Sequence, residues 1–191
     1  METQVLFIQG AGAGAHDADR PLAESLQRAL GNGYRVRYPP MPNEHDPQYP
    51  AWKAEIEARR MDVRGAMVLV GHSLGGFFLL KLLTETELPP DLVGLFLVAT
   101  PFVGDSEGWR FPGMALPKEF AGKLDYLPTF LYHSRDDGVV PFEHLALYRS
   151  KLLRATTRVF DGQGHQFRND LGVVADDIRR LMLSSASDWP V

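Results

Sequence analysis

The chain has 191 residues, 45% of them apolar and 23% charged, which suits one soluble globular domain with a sizeable core. A net charge of -4 without any run of five Lys/Arg gives no reason to expect nucleic acid or an acidic membrane as partner. The absence of cysteine excludes disulfides, thiolate metal sites and a cysteine nucleophile.

A strand begins within a few residues of Met1, so no targeting segment is expected. The longest apolar stretch, "LVGLFLVATPFVG" from Leu92, is too short to span a bilayer and is broken by Pro101. A cytoplasmic protein with no membrane contact follows as an expectation. The oligomeric state stays open.

The first strand, Val5–Gln9, runs into a glycine-rich loop: "VLFIQGAGAGA". Gly10, Gly12 and Ala15 fit G-x-G-x-x-G/A, the dinucleotide-binding pattern. A helix over Asp19–Leu30 follows, with Leu22, Leu26 and Leu30 on one face and a stop at Gly31. The second strand, Tyr34–Tyr38, leads into "YPPMPNEHDPQYP", whose five prolines demand an irregular loop. The dinucleotide reading needs an acid at the end of that second strand to hold the ribose, and Tyr38 and prolines stand there instead.

Pro50–Arg60 is a weaker helix, in which Trp52 is expected to pack against the sheet. Met67–Val70 is a strand apolar throughout, as one buried on both faces should be. It enters "GHSLGG" and then the apolar helix Leu74–Glu85. Gly71-His72-Ser73-Leu74-Gly75 is G-x-S-x-G between strand and helix, the context of a nucleophile elbow. The turn must be sharp enough to strain Ser73 and expose its hydroxyl, and residues two before and two after must be small. Leu74 opens the helix, so its N–H is free to meet an oxyanion. His72 is expected to pack beneath the turn.

Leu92–Ala99 is the fourth strand. The segment Val103–Asp125 after it resists assignment. Phe102, Trp109 and Phe111 are candidates for an acyl or leaving-group pocket, lined on the other side by Gly10 and Gly12. Strand Thr129–His133 ends near Asp136-Asp137, helix Phe142–Leu153 follows, and strand Arg158–Phe160 leads to His165 in "GQGH". A last helix covers Asp170–Leu183. His133 and His144 flank the aspartates, but no ligand spacing matches a known metal site. His16 and His45 are placed on surface loops.

The alternation predicts an α/β fold. It has three layers, doubly wound, with a mainly parallel six-stranded sheet, in one domain over 1–191 without a cap. Ser73, an aspartate and His165 then emerge at one edge of that sheet in the order nucleophile, acid, base. The spacings from Ser73 to Asp137 and from Asp137 to His165 are 64 and 28 residues, each room for a strand–helix unit. An oxyanion needs a second donor besides Leu74. The glycine loop supplies it, with the Ala11 N–H first and Gly12 in reserve.

With "QGAGAG", "YPPMP", "GHSLGG", "DDGVVP" and "GQGH", the sequence resembles the α/β-hydrolase superfamily. In size it is similar to the small capless serine hydrolases of the retinoblastoma-binding-protein type. The resemblance implies that the acid opens D-x-x-V-P, which is Asp137, and that the base is the His of Gly-x-Gly-His, which is His165. Gln9-Gly10 replaces the superfamily's usual His-Gly, and an L-x-C-x-E motif is impossible without cysteine. Asp137 is also favoured by its turn, where Gly138 relieves the bend and Val139 and Val140 offer apolar shielding, while Asp136 is assigned to the surface. The expected chemistry is hydrolysis of a small ester or related acyl substrate, without a cofactor. A protein-interaction module with a vestigial site is the alternative.

Overall fold

The computed structural model describes residues 2–104 and 114–187. Six strands form one sheet: β1 (Thr3–Ile8), β2 (Tyr34–Arg37), β3 (Met67–His72), β4 (Leu92–Val98), β5 (Thr129–Ser134) and β6 (Thr156–Phe160). All neighbours pair in parallel, in the order β2-β1-β3-β4-β5-β6. The helices are α1 (Ala15–Leu30), α2 (Tyr49–Met61), α3 (Ser73–Glu85), α4 (Phe120–Lys123), α5 (Glu143–Lys151) and α6 (Gly172–Ser187). Among the described residues no helix is long and apolar enough to cross a membrane.

Successive strand residues face opposite sides of a sheet, so strands buried on both faces feed two cores. Val5 and Phe7 of β1 join Val68, Val70, Phe96 and Val98 beneath α1 and α6. Leu6 and Ile8 join Leu69, Leu95 and Leu97 beneath α2, α3 and α5. This is the three-layer, doubly wound arrangement that the alternating pattern predicts.

The chain leaves β1 toward β2 and leaves β3 toward β4. The crossovers therefore diverge between β1 and β3, and the carboxyl ends of these two strands form a crevice there. The glycine loop and the serine turn both stand at this switch point.

Two departures from expectation bear on the site. Helix α1 starts at Ala15 rather than Asp19, after Gly14 in a left-handed conformation (φ 76°), and carries Pro21 inside it. Its first turn is capped from a distant loop, described below, a signal that local sequence does not carry. His16 accordingly belongs to a helix, stacked on Tyr38 with ring centroids 4.5 Å apart. The short helix α4 lies within the segment left unassigned from sequence.

Trp52 is fully buried between α2 and α3, with its ring edge-on to Phe78 at 5.2 Å. Its indole N–H donates to the Pro42 carbonyl at 2.7 Å and so ties the proline-rich loop down. Trp52→Ala should cost about 3–5 kcal/mol. Urea unfolding measures this, and a loss below about 1 kcal/mol would contradict the packing described.

Candidate active site

Strand β3 ends at His72 and α3 begins at Ser73 with no connecting residue. Such a turn is possible only if the flanking chain has no side chains in the way. A Cβ on Gly71 would lie 2.4 Å from the Gly76 Cα. One on Gly75 would lie 2.1 Å from the Gln9 carbonyl oxygen, and one on Gly76 would lie 2.2 Å from Thr100 Oγ1. Ser73 itself has φ 50°, a conformation that side-chain-bearing residues rarely adopt. The N–H groups of the first turn of α3, Leu74 included, lack intrahelical acceptors and present a positive dipole end.

The glycine loop reaches the same place from β1. A Cβ on Gly10 would stand 3.1 Å from the Ser73 Cβ, so glycine is what lets this loop lie beside the serine. The N–H groups of the loop are mostly engaged. Gly10 donates to Asp19 Oδ2 at 2.7 Å, and Gly12 donates to the Glu44 carbonyl at 2.7 Å. Gly12 is therefore not the reserve oxyanion donor that the sequence suggested, because its hydrogen is already committed. Ala11 is exposed, and among the described residues its N–H has no acceptor.

Glu44, from the proline-rich loop, answers the dinucleotide pattern. Its carboxylate accepts the N–H of Gly14 at 2.9 Å, the N–H of His16 at 2.7 Å and the Gln9 side-chain amide at 2.6 Å. The N-terminus of α1, where a pyrophosphate would sit in a nucleotide-binding protein, is filled by the protein's own anion. Gln9, in place of the usual histidine, is buried and also accepts the Met41 N–H at 3.2 Å.

Asp137 and His165 meet across the loops that follow β5 and β6. His165 Nδ1 lies 2.8 Å from Asp137 Oδ2 and 3.0 Å from Oδ1. Asp137 Oδ1 also accepts the Val139 and Val140 N–H groups at 2.8 and 2.9 Å, and His133 Nε2 lies 3.4 Å from Oδ2. Burial pushes this carboxyl's pKa up. The bonds from His133 and His165, with the backbone donors, more than offset burial and hold it well below the usual carboxylate range. Nδ1 of His165 therefore donates to an anion, which leaves Nε2 as its proton-accepting atom. Burial pulls the His165 pKa below the usual histidine value, opposed by the Asp137 bond and reinforced by the nearby His72.

The turn works differently from expectation in two respects. Val140 is buried, but Val139 is exposed, so Val139 contributes its N–H rather than an apolar shield. Asp136 is exposed as anticipated. However, its Oδ1 accepts the Ser134 hydroxyl and the Gly164 N–H, the latter at 3.1 Å, so it braces the loop that carries His165. His133 donates from Nε2 to the Val140 carbonyl at 2.9 Å, and His144 Nδ1 accepts the Phe102 N–H at 2.7 Å, so both histidines serve hydrogen bonds inside the fold.

Among the described residues no hydrogen bond joins Ser73 Oγ to His165 Nε2; such bonds are often long in free enzymes and tighten with substrate. What joins the two residues is His72. Its ring centroid is 4.7 Å from that of His165, and its Nε2 donates to the His165 carbonyl at 3.1 Å. His72 does lie beneath the turn, 2% exposed, with Nδ1 at 2.7 Å from Asp19 Oδ2.

The serine hydrolase family model matches residues 19–172, a span that holds Ser73, Asp137 and His165. The chain belongs to the serine hydrolase family. A search of curated proteins finds no match. Among solved structures, the hydrolase is similar to the ydeN gene product of B. subtilis, with TM-score 0.71 and 21% identity over 95% of this chain and 98% of that one. It is similar also to Est1E of Butyrivibrio proteoclasticus, solved with ferulic acid bound (0.68, 14%, 98% and 90%). A third is CarC, a serine hydrolase involved in carbazole degradation (0.69, 15%, 95% and 91%). These likenesses establish the α/β-hydrolase fold.

Phe102 of the hydrolase is buried, edge-on to Tyr148 at 4.9 Å. It lines an open cavity of about 380 Å³ together with Val103, Leu116, Phe120, Lys118 and Lys151. Gly10, Gly12, Ser73 and His165 are not among the residues lining that cavity, so the two glycines do not complete the pocket as expected. Trp109 and Phe111 lie outside the described residues.

Sequence reasoning missed Asp19, Glu44 and Gln166. Asp19 did carry a signal: it stands three residues before Leu22 on the apolar stripe of α1, an unlikely place for an unpaired carboxylate. Glu44 carried none, since its partners are 28–35 residues away. Glu44→Ala should destabilise the fold by about 1–2 kcal/mol through loss of the α1 cap. Chemical denaturation measures this, and an unchanged midpoint would contradict the capping role.

Proposed function

We propose that this hydrolase cleaves small carboxylic esters or related acyl substrates through a Ser73–His165–Asp137 triad and an acyl-enzyme intermediate. The observation that carries the reading is the part-buried Asp137–His165 Nδ1 bond, set at the sheet edge where Ser73 is held at positive φ. Ser73 Oγ attacks the acyl carbon while His165 Nε2 takes its proton, and the same nitrogen returns that proton to the departing alcohol. Water then attacks the acyl-serine by the reverse use of His165, releasing the acid. Asp137 stays ionised and stabilises the imidazolium that forms twice per cycle. The N–H groups of Leu74 and Ala11 receive the oxyanion, and removal of one such donor typically costs about 10²–10³ in kcat.

Besides the substrate and water, the scheme uses only side chains and backbone groups of the chain, and it calls on no cofactor. Ferulic acid bound to Est1E, a carboxylic acid on a similar fold, supports an acyl substrate class.

A fluorophosphonate probe should label Ser73, and Ser73→Ala should abolish both labelling and p-nitrophenyl acetate turnover; labelling that persists in the variant would overturn the assignment. Asp137→Asn should lower kcat by about 10⁴-fold, because the imidazole loses its tautomer and its counter-charge. Asp136→Asn should retain far more activity, and a reversed order would move the acid to Asp136.

Neutral His165 is the active form, so kcat/KM should rise with pH through the pKa of His165. Burial sets that pKa below the usual histidine value. The acid limb should accordingly have its midpoint below about 6.5 and be unaffected by EDTA. A midpoint clearly above that value would contradict the buried, neutral base.

A further inference from the structure

Asp19 and His72 form a buried pair outside the proposed triad, with side chains 4% and 2% exposed. A buried ion pair is weak evidence for stability, because apolar residues of similar volume often serve as well or better. What distinguishes this pair is the choice of segments it joins. Asp19 Oδ2 accepts the Gly10 N–H at 2.7 Å and His72 Nδ1 at 2.7 Å, and its Oδ1 accepts the Gln166 amide at 2.5 Å. His72 Nε2 reaches the His165 carbonyl at 3.1 Å. The joined residues are thus a neighbour of the Ala11 donor, a neighbour of the Ser73 nucleophile, and the base loop at two consecutive positions. Three stretches of chain that carry or adjoin reacting groups converge on one carboxylate.

The hydrogen-bond partners also argue for the charge. A carbonyl oxygen can only accept, so His72 Nε2 carries a proton. Asp19 Oδ2, already receiving an amide hydrogen, is best matched by a second proton on Nδ1. With both nitrogens donating, the ring is an imidazolium facing a carboxylate.

We propose that Asp19 and His72 are positioning residues for acyl transfer: a carboxylate–imidazolium pair that registers the glycine loop, the serine turn and the His165 loop, and that sets a positive charge beside the His165 ring. This rests on the triad reading above. The charged and titratable groups facing His165 are Asp137 from the loop after β5, His72 from β3 and Asp19 from α1. Asp137 and Asp19 favour the protonated form, while the His72 cation opposes it at a ring separation of 4.7 Å. Burial alone would push the His72 pKa down, but the charge and hydrogen bond of Asp19 raise it above its ordinary value. As pH rises, the His72 cation therefore outlasts the protonated form of His165. Asp19 is held low in turn by His72, Gly10 and Gln166 against the opposing effect of burial.

The test is the pH profile of p-nitrophenyl acetate hydrolysis by wild type, Asp19→Asn, His72→Gln, Ser73→Ala and Asp137→Asn, with thermal melts for each. Asp19→Asn should lower kcat by about 10²-fold, as expected for a misplaced catalytic group, with KM little changed. In both Asp19→Asn and His72→Gln the acid limb should move to higher pH, since the cation beside His165 is gone. A kcat that falls only with the folded fraction, or an unmoved acid limb, would reduce the pair to a structural contact and overturn the proposal. Should neither variant fold, ¹⁵N spectra of wild-type histidines decide: His72 should keep the imidazolium signature at pH 7, and a neutral ring there would overturn it. If Ser73→Ala and Asp137→Asn are inactive while Asp19→Asn behaves as wild type, the pair fails and the triad stands. If Ser73→Ala retains turnover, the triad reading fails and takes the pair with it.

Discussion

The close approach of backbone to backbone at the β3–α3 turn is the constraint on which the rest of the site depends. The Cα of Gly75 lies so near the Ile8 and Gln9 carbonyls that a methyl group has no place, and Gly76 meets Thr100 in the same way. Because those glycines let α3 pack against the ends of β1 and β4, Ser73 is forced to positive φ at the sheet's switch point. A single methyl at Gly75 would have to displace main chain, not a side chain. The strained serine is thus a consequence of packing rather than a local preference, and the surrounding contacts are what hold it there.

A second regularity is electrostatic. Parallel strands ending in turns and helix starts collect unpaired N–H groups at one edge of the sheet. Three carboxylates absorb most of them. Glu44 takes Gly14 and His16, Asp19 takes Gly10, and Asp137 takes Val139 and Val140. Among the described residues they leave open the donors at Ala11, next to Gly10 of the glycine loop, and at the first turn of α3, which Ser73 opens. Each carboxylate also holds a second element: Glu44 binds Gln9, Asp19 binds His72 and Gln166, and Asp137 binds His165. Anions that satisfy the loops therefore also set where the imidazole and the hydroxyl stand.

This division explains what could be read from the sequence. The strands were legible because doubly buried strands are apolar throughout, and Ser73 because its flanking glycines are a steric requirement written into adjacent positions. The contact between Asp137 and His165 was legible through chain order and through the D-x-x-V-P and Gly-x-Gly-His contexts that the resemblance implies. The true start of α1 was not legible, since its cap is Glu44, from another loop. Nor was the loss of Gly12 as a donor, since the acceptor is the Glu44 carbonyl. Asp19 could have been flagged as a carboxylate on an apolar stripe, but its partners at positions 10, 72 and 166 are visible only once the chain has folded. Local patterns report packing well; hydrogen-bond partners remote in sequence they do not report.

In the proposed cycle Ser73 carries the acyl group between two proton transfers by His165. The most direct test is to quench the protein in acid during p-nitrophenyl acetate turnover and map the acetyl group by peptide mass spectrometry. One acetyl per molecule is expected, confined to the peptide bearing Ser73 and released on return to neutral pH. Turnover without a covalent adduct, or an adduct on any other residue, would contradict it.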